Sequence, residues 1–469
     1  MKTMRHSRWA EHEFGRAEIG DVRRARRLVR VAGSMAATPA GRITETFSTS
    51  AEREGAYRLL ENGDIRATDI AAAQHHAAAS RCFGQQVVFV PVDGSSLNLP
   101  DRRQRRGMGI LSTKGKGAQG MHVMSAIAVR SDGTPLGVCG QRYWTRKKLV
   151  GLKRGDYDKR RFKKRESRYW IDVMTQVQRA FSDEAPGTRP WFQLDRGGDI
   201  GQVLSGESTK GAFFTVRSTH DRRLDPSVHG REYLWNHLRK KEPQGSYAIH
   251  IPDGENRSAR VAHAHIRFCP VELDLRDRVN GQHRTARLWA VRVGEIDTTP
   301  RGGTPLDWLL LTTYPVETIS DAMLVVEGYT SRWRIEEFHK TWKSGACCVE
   351  HTQLQKRDHI ERFAVISASV AMRIQRLTHL ARTNPDEPAT VEFSRPEIDA
   401  AILMRKPKGV VRGATPTIAE VVRWIADLGG FMGPSPANKT ATRRPGAIVI
   451  ARGLQKIEPV ATLLAEGEL

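Results

Sequence analysis

Two apolar runs in this chain each end on an aspartate. Val87–Val92 precedes Asp93 and a turn-like Gly-Ser-Ser, and Trp191–Leu194 precedes Asp195. Short β-branched or aromatic runs that stop at polar turn residues are typical of buried strands. The pattern therefore predicts a sheet at the core of the protein, with a carboxylate at the tip of each of two neighbouring strands. An acid after a strand also serves as an ordinary turn former, so neither aspartate alone indicates a site.

A third acid lies in the segment YTSRWRIEEFHKTWKSG, which begins at Tyr329. On a helix that turns ~100° per residue, Arg332, Glu336 and Lys343 fall within roughly 60° of Tyr329. The opposite face is apolar and consists of Ile335, Phe338 and Trp342. One helix face thus carries a phenol, a carboxylate and two cations, which suits a metal ion held against phosphates. The alternative is a solvated amphipathic helix with ordinary ion pairs.

The three acids would form a compact carboxylate cluster if this helix packs on the sheet. Carboxylates that share a site repel one another unless cations neutralise them, and oxygen ligands favour Mg²⁺ or Mn²⁺. Two such ions ~3.5–4 Å apart can activate a water or a 3′-hydroxyl and stabilise the leaving oxygen in phosphoryl transfer. We therefore predict that Asp93, Asp195 and Glu336 are catalytic residues and ligands of two divalent ions.

The segments around the three acids resemble those of a known family. The segments VDGSSL, QLDRGGDI and YTSRWRIEEFHKTWKSG look like the DDE triad and Y-R-E-K signature of the IS-four family of bacterial cut-and-paste transposases, which includes the Tn-five transposase. Further similar segments are GDVRRARRLVRVA, EREGAYRLLEN, TPLDWLLLTTYPVE, IADLGGFM and RPGAIVIARGLQKI. The ordered set covers roughly residues 9 to 457 and is far more specific than any single motif. One departure is Gly197-Gly198, where the family commonly has an acid beside the arginine after the second aspartate.

The resemblance implies an α/β protein with an RNase H-like catalytic core. Residues 1–72 would form a helical domain that binds the ends of the element. Residues 73–382 would form the core, and repeated short strand patterns predict a β-rich insertion at about 200–320. Residues 383–469 would form a helical dimerisation region.

Roles for individual residues also follow from the resemblance. Glu336 completes the metal-binding triad with the two aspartates, and Tyr329, Arg332 and Lys343 contact phosphates. Trp308 receives a base flipped from the end of the element, although its leucine-rich surroundings would equally suit a core tryptophan. Arg58 and Arg217 match DNA-contacting positions.

The first seventy residues carry an arginine stripe of their own. Asp21 is a plausible N-cap of a helix on which Arg23, Arg27 and Arg30 share one face. The other face is apolar and carries Ala25, Leu28, Ala32 and Met35. We expect the arginines to contact DNA, and the alternative is a solvated surface.

The overall charge agrees with a nucleic-acid partner. Lys and Arg number 75 against 52 Asp and Glu among 469 residues, which gives a formal net charge of +23. Twelve Lys or Arg fall within residues 146–168. A polyanion is expected because each neutralised phosphate releases counterions. The alternatives are a ribosome-associated or membrane-surface protein, but no apolar run is long enough to span a bilayer.

The expected function is that of a DNA transposase acting as a homodimer on double-stranded DNA. It would bind terminal inverted repeats, cut with Mg²⁺ or Mn²⁺ through a hairpin intermediate, and join the 3′ ends to target DNA. Five cysteines without C-x-x-C spacing, and no signal-peptide core, favour a bacterial cytoplasmic protein associated with the nucleoid. The alternatives are an RNase H-like nuclease without strand transfer and a catalytically silent, transposase-derived DNA-binding regulator.

Overall fold

The computed structural model describes most of the chain in several stretches. They are residues 8–101, 104, 106–112, 117–146, 166–251, 260–276, 283–296, 305–433 and 444–467. Most of the basic segment noted above, residues 147–165, lies outside them, as do residues 434–443 of the Pro/Ser/Asn-rich loop predicted at 433–446. Within the described residues, no helix is both long enough and apolar enough to cross a membrane.

The described part of the chain begins with five helices. They are α1 (Arg8–Phe14), α2 (Val22–Ala37), α3 (Ile43–Thr46), α4 (Ser50–Leu60) and α5 (Ala67–Ser80). The Asp21 side chain caps α2 by accepting a hydrogen bond from the Arg23 backbone N–H, as the sequence predicts. Thr49 and Glu52 form a reciprocal capping box at the start of α4, which satisfies N–H groups that a helix end leaves free. The helical character predicted for this region is confirmed.

A single mixed sheet forms the centre of the molecule. Its strands are β1 (Val87–Asn98), β2 (Gly109–Ile110), β3 (Gln119–Val129), β4 (Pro135–Trp144), β5 (Arg189–Leu194), β6 (Phe213–Arg217), β7 (Gly245–Ile251), β8 (Arg260–Arg276), β9 (His283–Glu295) and β10 (Asp307–Thr312). The strand order is β2-β3-β1-β5-β6-β10-β9-β8-β7, and β4 also pairs with β3. β1, β3 and β4 are antiparallel neighbours, whereas β1, β5 and β6 run parallel. This β4-β3-β1-β5-β6 arrangement confirms the RNase H-like core.

One strand of the sheet differs from the pattern expected from the sequence. The sequence pattern places the segment at 212–217 in the β-rich insertion, but β6 pairs in parallel with β5 and completes the five-stranded core. The strands β7 to β10 form the β-rich part and continue the same sheet, because β10 pairs with β6. The local hydrophobic pattern does not reveal which strands pair, so it could not assign β6 to the core.

Helices cover both faces of this sheet. α6 (Arg168–Glu184) packs on β3, β4 and β5, and the short helices α7 (Gly201–Leu204), α8 (Pro226–His229) and α9 (Leu234–Arg239) follow. The other face is covered by α10 (Ile319–Thr330), α11 (Trp333–Lys343) and α12 (Arg357–Thr383). Phe338 and Trp342 of α11 are fully buried and stack with ring centroids 5.7 Å apart. The apolar face predicted for this helix is therefore confirmed.

The C-terminal region is helical. It contains α13 (Arg395–Arg405), α14 (Ile418–Leu428) and α15 (Ala447–Glu466). The sequence predicts an apolar-rich helix at 356–382 and a second helix at 417–428, and α12 and α14 begin and end within one residue of these bounds. The sequence predicts Gly345 as the cap of α11, but the helix ends at Lys343 and Ser344 is the capping residue. The long helix α12 contacts α2, α4, α5, α14, α15 and β4, so it joins the N-terminal, core and C-terminal helices.

Gly328 lets α10 lie close against the sheet. A Cβ atom at this position would lie 2.8 Å from Phe89 Cε1 and 3.0 Å from Gln193 Nε2. We expect Gly328→Ala to lower the free energy of unfolding by about 1–3 kcal/mol, because a well-packed core does not accept an extra methyl group. Thermal unfolding of the purified protein measures this.

Gly55→Ala is the matched control, since Gly55 lies in the middle of α4 and a Cβ atom there would have no neighbouring atom within 4 Å. There the substitution should raise stability by about 0.5–1 kcal/mol. Equal effects of the two substitutions would contradict the close approach of α10 to the sheet.

Candidate active site

The parallel pairing of β1 with β5 brings the first two predicted acids together at the carboxyl end of β5. Val92 lies opposite Leu194, so Asp93 and Asp195 follow at the same level of adjacent strands. Asp93 Oδ1 accepts a hydrogen bond of 2.7 Å from the Gly94 N–H. Asp195 Oδ1 accepts one of 2.7 Å from the Gly197 N–H and caps a short 3₁₀ turn. The Gly197 N–H thus orients Asp195 just after the end of β5, and the Gly94 N–H orients Asp93 within β1. The prediction that the first strand ends at Asp93 and turns afterwards is wrong, because Gly94, Ser95 and Ser96 remain in β1, which pairs with β3 as far as Asn98.

The third acid comes from a helix pair and not from the single helix predicted. The signature segment is interrupted after Thr330, so Tyr329 lies on α10 and Glu336 on α11. The Thr330 and Ser331 hydroxyls donate to backbone carbonyl oxygens three residues earlier, at 2.7 and 2.6 Å. Side chains that bond locally to the backbone favour such a break, and i→i+3 backbone bonds tighten the turn. The predicted face is therefore shared between two helices.

Arg332, at this break, joins two of the acids. Its Nη1 lies 3.3 Å from Asp93 Oδ2, and its Nη2 lies 2.6 Å from Glu336 Oε1. The Arg332 side chain is only 12% exposed, and its pair with Asp93 is largely shielded from solvent, whereas Glu336 is 40% exposed. Burial lowers the pKa of Arg332, but Tyr329, Asp93 and Glu336 outweigh it and raise the pKa overall. The guanidinium links α11 to β1 at Asp93.

The acids also repel one another. Burial, followed by the negative charge of Asp195, raises the pKa of Asp93 from 3.8 to about 6. Arg332 and the Gly94 N–H oppose the rise, whereas Glu336 adds to it. A carboxylate whose ionised form is disfavoured in this way gains from any additional cation placed nearby.

The donor set fits a hard divalent ion in its chemistry. All three acids supply carboxylate oxygens, the ligands that Mg²⁺ and Mn²⁺ prefer. In the described part of the chain, no three Asp, Glu, His or Cys side chains are grouped tightly enough to hold one ion as they are placed. Arg332 supplies the positive charge between Asp93 and Glu336 in this arrangement. Ion binding by all three acids therefore requires side-chain rearrangement around Arg332.

A second group of predicted residues lies beside the acids. The Trp308 and Tyr329 rings meet edge to face, with centroids 5.2 Å apart, and both residues are largely buried. Burial raises the pKa of Tyr329, and it lowers the pKa of Arg217, which Tyr329 opposes. Arg217 also donates to the Asp307 carbonyl oxygen at 3.2 Å. The structure thus brings together Trp308, Tyr329 and Arg217, which are far apart in sequence.

Lys343 contacts β1 two residues beyond Asp93. Its Nζ donates to Ser95 Oγ at 3.3 Å and lies 3.9 Å from Glu350 Oε1. The Glu350 carboxylate also accepts a 2.8 Å hydrogen bond from the Asn98 N–H, which ties it to β1. Sequence reasoning did not identify Ser95 or Glu350, because only the packing of α11 on β1 brings them to Lys343.

The glycine that departs from the family pattern has a local explanation. A Cβ atom at Gly197 would lie 3.1 Å from Trp170 Cζ2 and 3.0 Å from Asp195 Oδ1. A side chain there would crowd both the Trp170 indole and the Asp195 carboxylate, so Trp170 occupies the space that a neighbouring acid would need.

The predicted DNA-contacting arginines of the first region lie on their own surface. Arg23 and Arg30 of α2 are exposed and Arg27 is half-buried. Arg58, on α4, is exposed and forms an ion pair with Glu54 one turn earlier. Within the described residues, no ion pair or hydrogen bond links these four arginines to the three acids.

The adjacent cysteines of the sequence are held by local contacts. The Cys347 side chain is buried, and Cys348 Sγ donates to the Gly345 carbonyl oxygen at 2.9 Å. All five cysteines are free thiols.

An RNase H-like sheet with three acids from β1, β5 and α11 at one edge defines an enzyme of the DDE class. Three family models match the chain: Transposase DNA-binding over residues 6–65, Transposase DDE domain over residues 163–373, and Transposase Tn5 dimerisation domain over residues 369–466. The DDE match includes Asp195 and Glu336, and Asp93 lies before it. The chain belongs to the DDE transposases of the Tn5 and IS-four type. It is a metal-dependent DNA-cleaving and strand-transfer enzyme that binds DNA and dimerises.

We predict that Asp93 lowers the stability of the metal-free protein at neutral pH. Its folded-state pKa of about 6 lies above the ordinary 3.8, so the folded protein releases this proton at higher pH than the unfolded chain. Stability is therefore lost as pH rises from about 4 to about 6. Asp93→Asn removes this loss and should raise the free energy of unfolding at pH 7.5 by up to about 3 kcal/mol.

Calorimetric unfolding between pH 4 and 7.5 measures the effect. The difference between the two proteins should be small at pH 4 and reach a plateau above pH 6.5. Added Mg²⁺ should raise the unfolding temperature of the wild type more than that of Asp93→Asn. Asp386→Asn, at an exposed position, is the control and should show neither effect. A pH-independent difference for Asp93→Asn would contradict the repulsion among the acids.

Proposed function

We propose that this transposase excises its element by a cut-and-paste route with a hairpin intermediate and joins the freed 3′ ends to target DNA. The observation that carries the proposal is the meeting of Asp93, Asp195 and Glu336 beside the Trp308–Tyr329 pair. Every step of such a route is phosphoryl transfer, so one carboxylate site serves all of them.

Asp93, Asp195 and Glu336 would hold two Mg²⁺ or Mn²⁺ ions. When bound, such ions lower the pKa of an attacking hydroxyl and stabilise the charge on the leaving oxygen. Their charge also relieves the repulsion that raises the pKa of Asp93. The acids would release Arg332, whose planar guanidinium then makes a bidentate contact with a DNA phosphate.

Tyr329 and Lys343 would complete the phosphate contacts. Lys343 contacts β1 through Ser95, two residues after Asp93, and offers a mobile positive charge there. Tyr329 contributes a neutral hydrogen bond, since burial raises its pKa and keeps the phenol protonated. With Arg217 and Arg332 around it, this phenol can orient a phosphate without adding charge.

Trp308 would receive a base displaced from the end of the element when the cut strand folds back into a hairpin. Its indole lies next to Tyr329 and close to the phosphate-binding arginines, so a base stacked there stays near the acids. Stacking on an aromatic ring contributes ~1–3 kcal/mol. Trp308 is largely buried, and the indole must therefore become accessible when DNA binds.

The remaining regions would organise the DNA and the dimer. We assign end binding to residues 1–72 with Arg23, Arg27, Arg30 and Arg58, catalysis to 73–382, and pairing to 383–469. Pairing would couple cleavage of the two ends and so prevent single-ended breaks. Chromosomal DNA as substrate supports a bacterial, nucleoid-associated location in the cytoplasm.

The three acids should be essential for cutting but not for binding. We expect Asp93→Asn, Asp195→Asn and Glu336→Gln each to reduce Mg²⁺-dependent cleavage of an end-containing duplex on the order of 10³-fold, because a principal electrostatic group is lost. Band shifts with the same duplex should change little. Glu327→Gln is the control, since this acid is exposed on α10.

The same assays separate the rival functions. A wild-type chain that binds ends but never cuts would be a silent regulator, and one that cuts without joining 3′ ends to a second duplex would be a nuclease. Robust cleavage by any one of the three variants would remove that residue from the site.

Trp308→Ala should separate the first two chemical steps. Nicking should proceed near the wild-type rate while hairpin formation slows about 10-fold, because only hairpin formation needs the displaced base. Trp308→Phe keeps an aromatic face and should recover most of the rate. Denaturing gels resolve nicked and hairpin products. If nicking and hairpin formation fall together and the variant unfolds at lower temperature, Trp308 is a core residue only.

A further inference from the structure

A cleft opens beside the three acids, and it has no role in the function described above. It has a volume of about 540 Å³. Its lining residues come from the strands β1, β3 and β4 and the beginning of α6. Those that the argument uses are Ser96, His122, Trp144, Arg146, Glu166 and Trp170. Gly94, which follows Asp93, and Gly197, two residues after Asp195, also line the cleft, so it begins directly beside both catalytic aspartates.

His122 and Trp144 form an aromatic wall of the cleft, and the buried Tyr169 ring continues this row outside the lining. The His122 ring stacks on Trp144 with centroids 5.4 Å apart and an angle of 21° between the rings. The Trp144 and Tyr169 rings follow at 4.4 Å. Arg142 and Arg168 lie over the Tyr169 ring, at 5.8 and 5.0 Å from its centroid. Aromatic faces interleaved with arginines are the usual means of binding a nucleic-acid strand without reading its sequence.

Trp144 is held in place from behind. Its Nε1 donates to Glu166 Oε1 at 3.1 Å, and Arg146 Nε donates to the same oxygen at 2.5 Å. Arg146 also donates to the Leu111 carbonyl oxygen at 3.2 Å. The indole is half-buried, so its edge is fixed while part of the ring borders the cleft. A ring fixed in this way loses little conformational entropy when a base stacks on it.

This cleft and the Trp308–Tyr329 pair lie on opposite sides of the acids. Trp308 and Tyr329 belong to the hydrophobic core beneath α10 to α12. Trp170 belongs to the separate core beneath α6, on the other face of the sheet, and Trp144 packs against it. Asp93 and Asp195 lie at the sheet edge between the two cores. A substrate phosphate at the acids therefore has one aromatic position on each side.

Phosphoryl transfer needs such an arrangement. In the joining step, the 3′-oxygen of the element forms a bond to a target phosphorus while the bond from that phosphorus to the target 3′-oxygen breaks. The attacking hydroxyl loses a proton and the leaving oxygen gains one. Attacking and leaving oxygens lie roughly in line on opposite sides of the phosphorus. If the nucleotides of the element's end occupy the Trp308 side, the receiving strand has to lie on the other side.

We propose that the Trp144 cleft binds a nucleotide of the target DNA strand, which stacks on the aromatic wall formed by His122 and Trp144. The proposal rests on the transposase function above and adds the site of the second DNA substrate. Stacking suits a target of arbitrary sequence, because every base presents an aromatic face. Arg146 is neutralised by its ion pair with Glu166, whereas the exposed Arg142 and Arg168 beside the Tyr169 ring supply positive charge for the phosphates on either side of that base.

Equilibrium binding tests the proposal without catalysis. Glu336→Gln chains are assembled on a pre-cut element end, and a fluorescently labelled duplex of unrelated sequence is titrated while its anisotropy is recorded. Adding Trp144→Ala should weaken binding of this duplex about 10-fold, as expected for one lost stacking contact. Trp144→Phe keeps the ring but not the bond to Glu166 and should stay within about 3-fold of the parent. Phe83→Ala, at an exposed aromatic outside the cleft, should have no effect.

A second variant tests the same cleft in case Trp144→Ala does not fold. Ser96→Asp places a negative charge in the cleft and leaves the aromatic wall intact, and it should also weaken binding of the unrelated duplex. End binding and thermal unfolding are measured for every variant.

Three results would overturn the proposal. They are unchanged target binding by both Trp144→Ala and Ser96→Asp, equal losses for Trp144→Ala and Trp144→Phe, and an effect confined to cleavage of ends that still carry donor flanking DNA. The last result would assign the cleft to the flank. Failure of the proposed transposase function would give a different result. The wild-type chain would then not cut an element end with Mg²⁺, whatever the effect of the Trp144 substitutions.

Discussion

The parallel pairing of β1 with β5 is the constraint on which the rest of the site depends. It places two aspartates side by side at one edge of a buried sheet, where their charges are poorly solvated and raise the pKa of Asp93. The positive groups of the site offset this unfavourable negative charge. Arg332 neutralises it from the α10–α11 break, Lys343 approaches along β1, and divalent ions would complete the compensation. The repulsion between the acids lowers stability, but it also makes the site attract cations. Those cations and the Arg332 and Lys343 side chains in turn attract phosphates.

The long helix α12 connects this edge to the DNA-binding and dimerisation regions. Arg362 is almost fully buried and donates to the carbonyl oxygens of Leu60 and Ile65, at 2.6 and 2.5 Å. Ser369 donates to Glu13 and Gln74, and the other side of the helix contacts α14 and α15. Because these hydrogen bonds are buried, the modules are held to one central helix. The protein interior therefore fixes the position of the DNA-binding region relative to the acids.

Much of the fold is predictable because its signals are local. The apolar runs before Asp93 and Asp195, the cap at Asp21 and the apolar face of α11 all depend on residues a few positions apart. The break between Tyr329 and Glu336 escapes prediction, because the hydroxyls of Thr330 and Ser331 outweigh a regular helical pattern. The parallel partner of β6 escapes it because pairing joins distant segments. The Trp144 cleft likewise brings together four elements that no periodicity connects.

The most direct test of the central claim is a crystal structure of the transposase with an element end and Mn²⁺, in which anomalous scattering locates the ions. The account predicts two Mn²⁺ peaks with oxygens of Asp93, Asp195 and Glu336 at about 2.1 Å. It also predicts that Arg332 leaves Asp93 and Glu336 for a DNA phosphate. Mn²⁺ bound elsewhere in a crystal that cleaves its DNA, with Arg332 still bridging the two acids, would contradict it.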